Sequence, residues 1–158
     1  MTEPLLHVEH LSKEFPVDSS VFSKEKKSVK AVDDISFDIF PGETFGLVGE
    51  SGCGKSTTGR CIMRLTHPTG GKVLFNGEDV SAMHKKDLKR MRHDMQFIFQ
   101  DPYASLNPRM TIGEIISEPL VIHGEMPDKT ERMNYVRELL DVVGLNPEHI
   151  NRYPHEFS

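Results

Sequence analysis

The sequence has no tryptophan and only two cysteines, Cys53 and Cys61, in 158 residues. Both cysteines lie in or just after a glycine-rich stretch, so a disulfide framework is not expected and a reducing compartment fits. No apolar run approaches the ~18 residues that a membrane-spanning helix needs. The segment from Met1 to Glu9 has no basic patch leading into an apolar stretch, so no secretory signal is expected and the cytoplasm is the default. The eight histidines have no H-E-x-x-H or C-x-x-C companions, which leaves a zinc site without support. Basic residues are in deficit too: 19 Lys and Arg stand against 24 Asp and Glu, a net charge of −5, which speaks against nucleic acid as a partner. The local exception is Lys24 to Lys30, KEKKSVK, which reads as a solvated loop or as a contact for anionic lipid or a phosphate backbone. Repeats and low-complexity tracts are missing as well. What remains is a soluble, globular composition, 37% hydrophobic and 27% charged, in a chain of one ordinary domain's length.

Along the chain, Leu5 to Leu11 reads as a first strand with Leu6 and Val8 on one face. Pro16 to Lys30 is polar, breaks the pattern and reads as a loop or insertion. Ile35, Phe37 and Ile39 then alternate with Ser36 and Asp38, the mark of a half-buried strand. After a Pro41-Gly42 turn, Thr44 to Val48 is a nearly continuous apolar run, as expected for a central strand of a parallel sheet. Thr58, Cys61, Ile62 and Leu65 recur at helical spacing. Val73 to Phe75 followed by Asn76-Gly77 predicts a strand and a tight hairpin turn. A basic helix is expected over His84 to Arg92, and a further buried strand over Met95 to Phe99, ending at Gln100.

Beyond that point the pattern is helical. Thr111 and Glu114 have the spacing of a capping box. Ile112, Ile115, Ile116 and Leu120 line one face, with Pro119 expected to end or kink the helix. Asp128 and Glu131 repeat the start signal; Met133, Val136, Leu140 and Val143 form the stripe, and Gly144 is placed as the stop. Strands, then helices, with a glycine-rich loop between strand and helix, define an α/β domain with a helical appendage.

The loop itself, Gly49 to Ser56, reads G-E-S-G-C-G-K-S and matches G-x-x-x-x-G-K-[ST]. Triphosphate oxygens need several N–H donors converging on them. A backbone can wrap that closely only where no Cβ obstructs it, hence Gly49, Gly52 and Gly54. A helix starting near Gly54 would turn its unpaired N–H groups and partial positive charge toward the anion. Lys55 can reach the β- and γ-phosphates as a compact cation. The Ser56 hydroxyl can take one position on Mg²⁺, a cation that prefers hard oxygen ligands, and Thr57 can bond the α-phosphate side. The phosphate-binding candidates are therefore Gly49, Ser51, Gly52, Cys53, Gly54, Lys55, Ser56 and Thr57, with Cys53 a small filler at a free motif position rather than a nucleophile. The four fixed positions match by chance in roughly one chain of this length in 200, and the preceding apolar run and following amphipathic helix agree with the motif. The expected ligand is MgATP.

A phosphate loop alone leaves GTPases, kinases and motor-type ATPases open. Gln100 to Arg109, QDPYASLNPR, together with GESGCGKST and the final RYPHEFS, resembles the ATP-binding subunit of an ABC transporter, and most closely the oligopeptide/dipeptide importer branch that nickel importers share. The resemblance covers the whole chain. It implies a P-loop NTPase core of RecA-like type with an antiparallel β subdomain over residues 1–100, and a partial helical subdomain over residues 101–158. By the same resemblance, Phe15 stacks on adenine, the alternative being core packing beside Leu11. Gln100 contacts Mg²⁺ and the attacking water and reports nucleotide state to a membrane subunit, which makes Lys55 and Gln100 the catalytic candidates and Ser56 and Gln100 the metal candidates. The implied partners are transporter membrane subunits, a second ATP-binding subunit and, indirectly, a solute-binding protein, at the cytoplasmic face of the membrane, with no nucleic acid. The helices from Thr111 onward would dock on the membrane subunit.

In RYPHEFS, Phe157 stands where the family has leucine, and Ser158 matches the serine that opens the L-S-G-G-Q signature. The Walker B aspartate, the glutamate that polarises water and the switch histidine, which the family places later, have no counterpart here. Leu139-Leu140-Asp141 approaches a Walker B run but has helical periodicity and no following acid. The expectation is therefore the N-terminal two-thirds of such a domain, from a partial gene product or an incomplete sequence. Three functions compete: a peptide-import ATPase, with nickel the second choice of solute; a nucleotide-binding module without hydrolysis; and a non-transport ABC ATPase.

Overall fold

The computed structural model describes residues 3–17 and 27–157. They form two units, 1–96 and 97–158, dividing four residues before the boundary expected at 100/101.

The first unit is built on an antiparallel sheet of order β2-β1-β3-β4. Its strands are β1 (Leu6–Val17), β2 (Lys27–Ile39), β3 (Gly70–Phe75) and β4 (Glu78–Asp79). Directly opposed residues share a face, and one face is the core: Leu6 against Phe75, Val8 against Val73, Leu11 against Ile35, Lys13 against Val32. Leu6, Val8, Leu11, Val32, Val73 and Phe75 are buried there with Cys61 and Met91. The buried positions change from even (6, 8) to odd (11) because the β1–β2 register shifts between Val8 and Leu11. An extra residue in one strand turns every later side chain over. At the shift, His10 and Asp34 both take φ 50 and their side chains bond, Nδ1 to Oδ1, at 2.6 Å. Facing it, Gly71 has φ +82, and a Cβ there would stand 2.2 Å from the His10 carbonyl oxygen, so the bulge requires glycine on β3. Asn76 and Gly77, at φ 50 and 77, make the expected hairpin turn from β3 to β4.

Helix α1 (Lys55–Ile62) packs Thr58 and Cys61 inward, and α2 (Lys85–Asp94) packs Met91. Burial pushes the Cys61 thiol above its ordinary pKa, with the Lys13 ammonium partly opposing it, as suits a core residue rather than a reactive one. Leu65, expected on the α1 stripe, lies past the end of the helix and is exposed.

Three expectations change. The Pro16–Lys30 loop is shorter than its composition suggests: Pro16 and Val17 extend β1, Ser28 to Lys30 belong to β2, and residues 18–26, with Lys24 to Lys26, lie outside the described residues. Proline is tolerated because β3 pairs with β1 only as far as Ser12, so Pro16 faces a ladder on one side alone. Thr44 to Val48 and Met95 to Phe99 are irregular rather than strands. Neither run pairs with a described strand, although Phe45 stacks on Phe37 of β2 at 4.7 Å, and Val48 and Ile98 are each 91% exposed.

The second unit contains α3 (Ile112–His123) and α4 (Lys129–Val142), followed by two 3₁₀ turns, Pro147–Asn151 and Pro154–Glu156. The Thr111–Glu114 capping box is present in both directions, and the Asp128 carboxylate accepts from the Glu131 N–H. α3 runs through Pro119 and ends at Gly124, φ 76, so the proline does not end it. Gly144, φ 77, follows the end of α4 as expected. Val136, Leu140 and Ile150 form the core with Ile112, Ile116 and Met133 against it, whereas Val143 is 69% exposed.

Candidate functional site

The glycine-rich loop leads into α1, as expected, but it follows the irregular run 43–48 and not the strand expected before it. Gly54 takes φ +96 at the N-cap, and a Cβ on it would lie 1.9 Å from the Ala31 carbonyl oxygen and 3.7 Å from the Val32 side chain. Only glycine therefore lets the start of α1 rest on β2. The helix begins without a side-chain cap and carries no acid in its first turn, so its positive end is neither capped nor neutralised by a carboxylate of its own. Behind the loop, Thr58 is buried and both its N–H and its hydroxyl donate to the Gly54 carbonyl, at 2.8 and 3.1 Å. Those two hydrogen bonds tie down the residue around which the loop turns.

The Lys55 ammonium folds back over the loop. It donates to the Gly49 and Glu50 carbonyl oxygens at 2.7 and 2.6 Å and lies 3.5 Å from the Cys53 sulfur. The cation is thus held on the backbone of the loop it serves. Ser56 is exposed in the first turn of α1, where a hydroxyl can reach a cation bound beside phosphate; Thr57 is half-buried next to it. A cleft of about 350 Å³ opens beside the loop, lined by Cys53, Lys55 and Thr58 on one side and by Lys30, Val32 and Asp33 of β2 on the other. Lys30 and Asp33 pair across 3.0 Å, and this hydrogen bond raises the Lys30 pKa.

Phe15 lies outside the core cluster, 42% exposed, opposite Val29 on β2; packing beside Leu11 is therefore not its position. The Lys13 ammonium stands 4.8 Å from its ring centroid. Gln100 is exposed, at the start of the second unit. The structure thus assembles Gly49 to Thr57 with β2 in one unit, and Gln100 belongs to the other.

Sequence reasoning missed Ala31, Val32, Thr58 and Lys13. Ala31 and Val32 could not be read because they meet the loop through tertiary packing; Thr58 was read only as a position on the helix stripe, although it lies four residues from Gly54 and bonds its carbonyl. Lys13 left a signal, its two-residue spacing from Phe15 on a strand.

The residues can hold a magnesium–nucleotide complex: a helix end without acid, a loop shaped by positive-φ glycines, a cation and an exposed hydroxyl converge on one place. Comparison with known proteins agrees. The ABC transporter family model matches residues 32–158, and the chain belongs to that family. It is 59% identical over 159 residues to the oligopeptide transport ATP-binding protein OppF of Bacillus subtilis (strain 168), covering 100% of this chain and 50% of the relative. It is 53% identical over 156 residues to the glutathione import ATP-binding protein GsiA of Escherichia coli O157:H7, covering 99% of this chain and 25% of the relative. The chain therefore spans half or less of the length of these relatives. Among solved structures, it is similar to the dimeric ATP-binding cassette MJ0796 in a post-hydrolysis state bound to ADP and Pi. That match has a TM-score of 0.77 and 26% identity, over 97% of this chain and 63% of that one. The fold is that of an ABC ATPase cassette, a P-loop NTPase. No helix among the described residues is long and apolar enough to cross a membrane.

Proposed function

We propose that this chain is the nucleotide-holding part of an ABC import ATPase that couples ATP binding and hydrolysis to uptake of small peptides. The observation that carries the reading is the Gly49–Ser56 loop, with its lysine folded over it and Gly54 seated on β2. The solute class follows relatives named for oligopeptide and glutathione import.

Backbone N–H groups of Ser51 to Thr57 would wrap the phosphates, with Gly49, Gly52 and Gly54 allowing the close approach. Lys55 would exchange its two carbonyl acceptors for β- and γ-phosphate oxygens, replacing neutral acceptors with charged ones. Ser56 and Gln100 would ligate Mg²⁺, which neutralises charge developing on the transferred phosphoryl group. Gln100 would also orient the attacking water, and Phe15 would carry the adenine. The partners are transporter membrane subunits, a second ATP-binding subunit and, through the membrane subunits, a solute-binding protein. The place of action is the cytoplasmic face of the membrane.

The test separates binding from turnover. In titration calorimetry with MgATP, Lys55→Ala should weaken binding by 10-fold or more, about the value of a charge-assisted hydrogen bond. In the full-length protein, Lys55→Ala should also abolish phosphate release, whereas Gln100→Ala should keep its affinity and lose turnover. Equal loss of affinity in both variants, or unchanged affinity in Lys55→Ala, would overturn the assignment.

A further inference from the structure

On β1, Leu11, Lys13 and Phe15 follow one another at alternate positions, opposite Ile35, Val32 and Val29 of β2, and Leu11 lies in the core with Cys61 of α1. Leu11 is fully buried, Lys13 half-buried and Phe15 exposed, so the row runs from the core out to solvent. Phe15 faces Val29, which lies two residues along β2 from Ala31, the residue whose carbonyl supports Gly54. At about 3.3 Å per residue along a strand and about 5 Å between strands, Phe15 stands roughly 8 Å from the point where β2 meets the loop. That is the kind of span that separates a nucleotide's base from its inner phosphates. A half-exposed aromatic ring is thus set at base distance from the phosphate loop, with an ammonium 4.8 Å from its centroid.

We propose that Lys13 is a positioning residue for the nucleobase: its ammonium caps one face of the Phe15 ring, fixes the ring's orientation and leaves the other face to a purine. This rests on the nucleotide-binding reading above and adds a residue to it. A cation on one face of a phenyl ring is held by the ring's quadrupole. It draws electron density toward itself, which makes the far face a better partner for an electron-rich base. A ring already fixed in place also loses less rotational freedom when the base arrives. The alternating spacing of Lys13 and Phe15 is what lets one strand supply both the cap and the platform.

The test compares ATP with inorganic tripolyphosphate, which has the phosphates and no base, by calorimetry in magnesium on the full chain. Lys13→Met should weaken ATP about three-fold, the scale of an exposed cation–π contact, and leave tripolyphosphate unchanged. Lys13→Arg should restore ATP binding. Phe15→Ala should weaken ATP about ten-fold or more, the scale of one stacked base, and in that background Lys13→Met should add nothing. Thermal melts of each variant, matched to the parent, show that the fold is kept. An equal loss of both ligands in Lys13→Met would make Lys13 a phosphate contact and overturn the proposal. So would an effect of Lys13→Met that persists without Phe15, or no effect on ATP at all. If the unaltered chain binds neither ligand, the nucleotide reading itself fails; if it binds ATP through Lys55 but ignores both Lys13 and Phe15, only this inference fails.

Discussion

Gly54 combines two requirements that only a residue without a side chain can meet. It turns the chain at φ +96 into α1, and it lets that turn lie against the Ala31 carbonyl, where a Cβ would come within 1.9 Å. Gly54→Ala should therefore cost about 1–3 kcal/mol or more in overpacking and left-handed strain. A urea titration should show a lowered midpoint, and a midpoint equal to the parent's would remove the close approach from the account. At this scale much was legible in advance. The phosphate loop could be read because it is contiguous, and its chemistry dictates glycine, lysine and a hydroxyl at fixed spacing. What Gly54 leans on could not be read, because Ala31 is 23 positions away and is brought there by the sheet. Phe15 came from resemblance alone, and Lys13 was passed over although it shares the strand.

Among the elements, Pro119 did not end α3, whereas four local signals matched their expectations: the Asn76-Gly77 turn, the Thr111–Glu114 box, the Asp128 cap and the Gly144 stop. Each is decided by a few neighbouring residues and their backbone hydrogen bonds. The apolar runs at Thr44–Val48 and Met95–Phe99 did not, since such a run states a demand for burial and cannot name the strand that would meet it. The reach of β1 past Pro16 was hidden for the same reason: its partner Ser28 is set by pairing. The α3 cap carries a pH prediction. The Thr111 backbone N–H, and then its hydroxyl, hold the Glu114 carboxyl below the usual carboxylate range. A depressed carboxylate adds stability above its unfolded pKa of about 4.3 and loses it as pH falls through the lower folded value. Circular dichroism melts should thus show a steeper fall in Tm between about pH 5 and pH 3 for the parent than for Glu114→Gln. Parallel profiles would mean the carboxylate contributes nothing to the helix start.

For the molecule as a whole, nucleotide binding and folding are linked. A ligand that binds only the folded chain stabilises it by about 2.7 kcal/mol at 100 times its Kd. MgATP at that excess should raise the Tm by several degrees, and by about half as much or less in Lys55→Ala, where ten-fold weaker binding leaves about 1.4 kcal/mol. A shift of equal size in both would place the nucleotide elsewhere. The fold match extends over 97% of the chain and 63% of the cassette it resembles.

The bulge between Val8 and Leu11 acts on β1 much as a frameshift acts on a message. Removing one residue there would send Leu11, Lys13 and Phe15 to the opposite side of the sheet, emptying a core position and carrying off both parts of the base platform. Insertions and deletions within β1 should therefore be far rarer among relatives than in the connection from β1 to β2, and those that survive should be matched by a compensating change on a facing strand.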